Sequence, residues 1–194
     1  MEFVKIDKVS EGEFINRFDI TYKTVSGYPK VYEMISRDKE IHTLEELNNH
    51  SVDAVVMIMF KDSDREKILL SKEFRMAPGE WVYNFPAGII EDGESFSEAA
   101  KRELREETGL EIKEIVDTSF ESYSAVGYSN EKNVCVVGVC DGKIRCSDSE
   151  FEEIEAGFYT KEEVRELLKN NKFSSRAQGF CYAWAVLETL GLSC

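Results

Sequence analysis

Proline is scarce: three residues in 194. With 42 % hydrophobic and 32 % charged residues, that scarcity excludes collagen-like and low-complexity classes and argues for a packed globular chain. Long apolar runs are also missing. The longest, Ala54 to Phe60, has the length of a strand, far short of the ~18 residues a membrane span needs. The first residues, MEFVKIDKVSEGEF, include acids and lack an apolar signal-peptide core. The five cysteines (135, 140, 146, 181 and 194) are odd in number and form no CxxC pair. Neither a disulfide framework nor a zinc ribbon is indicated, and inert thiols in a reducing cytoplasm are expected. Positive charge is the last shortage. Lys and Arg total 24 against 38 Asp and Glu, a formal net charge of −14. Such a chain lacks the basic surface that would hold nucleic acid. An anionic small molecule remains acceptable if cations supply positive charge locally.

Patterning divides the chain into an N-terminal β-strand region, residues 1–50, and a larger domain, residues 51–194. The first contains two apolar-rich stretches, 18–25 and 30–35, read as an antiparallel pair turning at Ser26-Gly27-Tyr28-Pro29. A polar stretch with a short helix at Leu44–Asn48 follows. Val52–Phe60 reads as a strand buried on both faces, and Lys67–Phe74 as its return; 76–81 reads as a loop. Ser95 and Glu98 form a capping-box signature for a helix ending at Thr108, with Gly109 suited to the left-handed position after it. Strands are expected near 115–123, 134–140 and 154–159. A helix is expected over 161–170 behind Thr160 and an amphipathic one over 177–190. The order implies an α+β fold, or a mixed sheet between helices.

The chemistry concentrates in Gly88 to Leu110, GIIEDGESFSEAAKRELREETGL. At helical spacing Glu103, Glu106 and Glu107 share one face, with Ala99 one turn earlier leaving room beside Glu103, while Ala100 and Leu104 point to the sheet. Three stacked carboxylates repel one another. A solvated acidic face is one reading. A nest for hard divalent cations is the other, favoured by Arg102 and the framing glycines, and it suggests chemistry on phosphates.

The segment resembles the Nudix box, G-x5-E-x7-R-E-U-x-E-E-x-G-U with U aliphatic. Gly88, Glu94, Arg102, Glu103, Leu104, Glu106, Glu107, Gly109 and Leu110 match without a departure. Seven fixed letters give a chance match on the order of 10⁻⁸ per start position. The resemblance implies a Nudix fold, a mixed β-sheet sandwiched between α-helices. It implies Mg²⁺ or Mn²⁺ held by Glu103, Glu107, Glu106 (directly or through water) and the Ala87 carbonyl. Glu106 and Arg102 would serve the catalytic machinery. Glu94 would pair with Arg102 as a structural clamp, and Gly109 would close the helix.

The preceding residues, KEFRMAPGEWVYNFPAGIIEDGES, are similar to the branch acting on ADP-ribose and other nucleoside diphosphate sugars, through Glu73-Phe74-Arg75 and Pro86-Ala87-Gly88. Arg75 would contact phosphate or terminal sugar, Gly88 would border the substrate, and Trp81 or Tyr83 could stack on a base. Glu131 matches an acidic position after the box, whereas Val126 stands where the branch has proline and Asn84 where it often has an acid. These departures widen the substrate class to another sugar nucleotide, such as a UDP-sugar, or a smaller pyrophosphate. A later loop glutamate should activate water, ranked Glu150, then Glu153, then Glu152. The branch further implies a homodimer built through the N-terminal strands. Competing readings are a house-cleaning nucleoside triphosphate pyrophosphohydrolase and a nucleotide-sensing domain without catalysis; the intact box glutamates favour an enzyme.

Overall fold

A computed structural model describes residues 1–147 and 152–187. The chain divides into two compact units, one made of 1–53 and 121–133, the other of 54–120 and 134–194.

The first unit opens with β1 (Glu2–Ser10), β2 (Asn16–Lys23) and β3 (Pro29–Ser36), an antiparallel sheet in the order β1-β2-β3. Strand β1 is absent from the sequence reading for a local reason. Its pairing with β2 slips between Phe3 and Lys5 and again between Lys8 and Ser10, which breaks the period-two alternation of its apolar residues. Helix α1 (Leu44–Asn49) starts at Thr43, whose side chain accepts from the Glu46 N–H while the Glu46 carboxylate accepts from the Thr43 N–H. A small core joins Ile6, Phe18, Ile20 and Met34 to Ile41 and Leu47.

The second unit is a sheet with helices on both faces. β4 (Ala54–Phe60), β5 (Lys67–Arg75), β6 (Glu80–Asn84) and β7 (Ala87–Ile89) lead to α2 (Phe96–Thr108) and β8 (Leu110–Thr118). β9 (Ser122–Tyr123) lies in the part of the chain that returns to the first unit, and there it pairs with Lys132 and Asn133 at the start of β10 (Lys132–Gly142). The rest of β10, β11 (Ile154–Thr160), α3 (Lys161–Asn170) and α4 (Ser175–Tyr182) complete the second unit, with a π-helical turn at Ala183–Leu187. The path is β11-β5-β4-β10-β8, with β6 against β5 and β7 against β4.

Alternation along the strands sorts the core. Val55, Met57 and Met59 of β4 and Leu69 of β5 pack with Ala99, Ala100 and Leu104 of α2. Their neighbours Val56, Ile58, Phe60, Ile68 and Leu70 face Val164 of α3 and Ala177 and Cys181 of α4. A strand buried on both faces reads as a continuous apolar run, which is why β4 is legible in the sequence. Other elements besides β1 depart from expectation. The loop after β5 is confined to a turn closing at Gly79, φ 66°, and β6 starts at Glu80. β8 begins at Leu110, directly after the helix cap.

Candidate active site

Helix α2 begins at Ser95 with both hydrogen bonds of a capping box and ends at Gly109. There φ is 76° and the Gly109 N–H donates to Arg105 O at 2.9 Å. Those two stops fix the rotation of the helix, so Ala99, Ala100 and Leu104 enter the core and the carboxylates of Glu103 and Glu107 meet strand β7. Ala99 is fully buried against the sheet rather than leaving open space beside Glu103.

Arg102 organises the acids. Its Nε and Nη2 donate to the two carboxylate oxygens of Glu94 at 3.0 and 2.8 Å. Nη2 also donates to Ile89 O at 2.9 Å, and Nη1 to Glu103 Oε1 at 2.7 Å. The planar fork makes four such bonds from three separate nitrogens; an ammonium has three N–H groups, all on one nitrogen. Glu94 keeps its carboxyl below the usual range chiefly because Arg102 bonds to it. Glu106 is half exposed and 3.4 Å from Arg102 Nη1.

Gly88 is paired with Val55 and lies under Glu103. A Cβ at this position would stand 1.8 Å from Glu103 Cδ and 2.1 and 2.3 Å from its oxygens. Only a hydrogen leaves room for that carboxylate. Glu107 is buried, and its Oε2 has no hydrogen-bond partner. Burial pushes its carboxyl well above the usual range, and the charges of Glu103, Glu73 and Glu152 push it further, against a backbone hydrogen bond from Ala87. Burial also raises Glu103, opposed by Arg102. Among the described residues, no three His, Cys, Asp or Glu side chains already form a ready-made cation cage. The donor set nonetheless suits a hard cation: an orphaned buried carboxylate oxygen, a second carboxylate beside it, and all-oxygen chemistry.

The other candidate residues are distributed as follows. Arg75 donates from Nη1 to Glu73 Oε1 at 2.5 Å and is itself 55 % exposed. Trp81 pairs with Phe74 on the opposite face of the sheet from α2, its ring edge-on to Phe74 and under Lys72 Nζ at 4.9 Å. Tyr83 is buried there, stacked on Phe173 at 5.2 Å. Asn84 Oδ1 accepts from Ser174 Oγ at 2.7 Å, tying β6 to the start of α4. Glu131 belongs to the first unit, where Arg37 Nε donates to it at 2.8 Å. Glu150 lies outside the described residues. Glu153 O accepts the Phe74 N–H at 3.1 Å, and the charge of Glu152 is felt by both Glu103 and Glu107. Glu73, unassigned in the sequence reading, joins this cluster. Its signal was the two-residue period of β5, which puts Leu69, Ser71 and Glu73 on the α2 face.

Fold and site together define a class: a sheet between helices, one of which presents a glycine-cradled carboxylate pair clamped by an arginine. The NUDIX domain profile matches residues 50–178, and the chain belongs to the Nudix family. It is 36 % identical over 103 residues to the ADP-sugar pyrophosphatase of Mus musculus, covering 52 % of this chain and 44 % of that protein. It is 30 % identical over 134 residues to the ADP-ribose pyrophosphatase of Saccharomyces cerevisiae, covering 69 % and 55 %. The chain thus spans about half the length of these curated relatives. A crystal structure of an ADP compounds hydrolase superposes with a TM-score of 0.71 at 20 % identity over 99 % of this chain and 97 % of that one, a likeness of fold.

Proposed function

We propose that the chain is a divalent-cation-dependent pyrophosphohydrolase that cleaves the diphosphate bond of ADP-ribose or a related nucleoside diphosphate sugar, releasing a nucleoside monophosphate and a sugar phosphate. The observation that carries this reading is Glu107 Oε2, buried without a partner beside Glu103, whose own carboxylate lies over Gly88. Leaving such an oxygen unsatisfied costs free energy that a bound cation would return.

Glu103 and Glu107, with Glu106 and the Ala87 carbonyl, would hold Mg²⁺ or Mn²⁺. When bound, the cation supplies the positive charge that lets an anionic diphosphate approach glutamates and makes a water more acidic. The chain's own residues do the rest. Arg102 and Glu94 keep the loop after β7 on the helix. Arg75 offers a guanidinium fork to phosphate oxygens, and Gly88, with no side chain, leaves room for the Glu103 carboxylate at the edge of the site. A loop glutamate accepts the proton of the attacking water, from Glu150, Glu153 or Glu152.

Among the described residues no helix is long and apolar enough to cross a membrane. The free thiols of Cys135, Cys140, Cys146 and Cys181 suit a reducing compartment, and we assign the chain to the cytoplasm. The N-terminal unit is read as a homodimerisation arm, supported by the exposure of Val4, Val9, Phe14, Ile15 and Val31. Light scattering after size exclusion tests that reading, and a monomer rejects it.

Activity is tested on ADP-ribose, UDP-glucose, NADH, diadenosine polyphosphates and dNTPs, with Mg²⁺ or Mn²⁺, for wild type and Glu107→Gln. Metal-dependent cleavage of a diphosphate sugar, lost in the variant, is expected. Preference for dNTPs would reassign the chain to nucleoside triphosphate house-cleaning. Tight binding without turnover of any compound would make it a sensor.

A further inference from the structure

We propose that Glu73 is a positioning residue: it holds the Arg75 guanidinium at the rim of the carboxylate cluster, so that substrate meets an oriented fork. The proposal rests on the reading of Arg75 as a phosphate-binding residue.

The geometry starts with strand β5. Leu69 belongs to the core cluster that holds Ala100 and Leu104 of α2, so Ser71, Glu73 and Arg75, at successive intervals of two, follow it on the α2 face. The partner strand agrees: Phe158, Ala156 and Ile154 lie opposite Leu69, Ser71 and Glu73, and the first two pack into the same core. Glu73 is thereby drawn inward, its side chain 13 % exposed, while Arg75, at the end of the strand, stays 55 % exposed. An inward carboxylate close enough for its charge to act on buried Glu107 needs a counterion. The Arg75 Nη1–H···Oε1 bond to Glu73, at 2.5 Å, provides it.

That bond uses one of the five N–H donors of the guanidinium and leaves the others for an anion. A free arginine at a strand end would lose up to ~2 kcal/mol of rotamer entropy on binding. The tether to Glu73 removes part of that loss in advance. Glu73 also repels a diphosphate. Its charge is already neutralised at contact distance by Arg75, so the ordering effect prevails and Glu73 aids binding.

The test uses ADP-ribose as probe and four proteins: wild type, Glu73→Gln, Arg75→Ala and the double variant. Steady-state kinetics with Mg²⁺ are paired with calorimetric binding, also with Mg²⁺, of an ADP-ribose analogue whose bridging diphosphate oxygen is replaced by methylene, so that no turnover occurs. Glu73→Gln, an isosteric change, should raise KM and the analogue's Kd about tenfold, equivalent to ~1.4 kcal/mol, with kcat within threefold. The double variant should match Arg75→Ala alone, because the two residues act as one unit. A tenfold loss that persists in the Arg75→Ala background would overturn the proposal and make Glu73 act on the carboxylates directly. A fall in KM would overturn it the other way, with Glu73 masking Arg75. Arg75→Ala with unchanged KM would remove the phosphate-binding reading of Arg75 itself, and this proposal with it. Should Glu73→Gln melt lower than wild type, Glu73→Asp, which keeps the charge but shortens its reach to Arg75, gives the same information: it should raise KM in the wild-type background and leave it unchanged in the Arg75→Ala background.

Discussion

Replacing Gly88 by Ala puts one methyl into the space occupied by the Glu103 carboxylate. The clash is severe: 1.8 Å to Cδ and 2.1 and 2.3 Å to the oxygens, where ordinary contact begins near 3.4 Å. The carboxylate must therefore move by more than 1 Å, out of reach of Arg102 Nη1, which now donates to it at 2.7 Å. A charge-assisted hydrogen bond of this kind contributes about 1.5–3 kcal/mol. In a chain of this size that is a fall in Tm of roughly 3–10 °C. Because Glu103 would also hold the cation, hydrolysis should fall by two orders of magnitude or more. Gly93→Ala is the control. Gly93 has φ 83° and nothing within 4 Å of a built Cβ, so it tests backbone strain without a clash. It should cost about 1 kcal/mol and leave kcat within a few-fold. The assays are thermal melting by circular dichroism and hydrolysis of ADP-ribose with Mg²⁺. A Gly88→Ala protein that melts like wild type and keeps full activity would refute the close approach of Glu103, and with it the placement of the carboxylate pair.

Other expectations follow from the same contacts. Glu107→Gln should abolish metal-dependent hydrolysis yet raise Tm in EDTA by several degrees, since it removes a buried charge repelled by its neighbours; a lower Tm in EDTA would count against the unpaired Oε2. Arg102→Lys keeps the charge but cannot span Glu94, Ile89 O and Glu103, so it should cost about 2 kcal/mol and lower kcat at least tenfold with the products unchanged; wild-type kinetics would contradict the clamp. In the first unit, buried Lys132 donates to Asn48 O and His50 O and pairs with Glu121 at 2.8 Å, and Lys132→Met should cost about 3 kcal/mol and speed amide exchange in α1; unchanged exchange would argue against it. Burial pushes the thiols of Cys140 and Cys181 up to about 12. Folded protein therefore holds protons that the unfolded chain gives up above pH 9, so stability should fall as pH rises through 9. Peptide mapping after alkylation at pH 8 should leave both thiols unmodified while exposed Cys146 reacts.

Legibility in the sequence followed the physics of each element. Helix α2 was readable to within a residue, because Ser95, Glu98 and Gly109 act locally and the structure uses each as a cap. β4 was readable because both of its faces are buried. β1 was not, because two slips of register spoil its alternation. β6 hid behind Pro78-Gly79, which occupy a turn shorter than their composition suggests. The box residues were visible as a pattern, and the structure gathers Glu94, Arg102, Glu103 and Gly88 at contact distance. Glu73 was visible as part of the Glu73-Phe74-Arg75 match but not as a member of that cluster. Only the packing of Leu69 onto α2 fixes which way it points. The same holds for Trp81, whose position on the far face follows from its pairing with Phe74.

The return of residues 121–133 to the first unit has a consequence for modularity. Arg37 pairs with Glu131, Asp53 accepts from the Lys132 N–H, and the Ile35 N–H donates to Tyr128 O, so residues from the middle of the chain complete a unit begun at its start. That unit is not an appendage. A cut after residue 53 severs it from its own closing segment, and removing residues 1–53 strips the 121–133 excursion of the partners that shape it. Gain, loss or exchange of such a unit by recombination would need three coordinated crossovers, after residues 53, 120 and 133. Lineages carrying this arrangement are therefore expected to inherit both units together and to diversify by substitution within them.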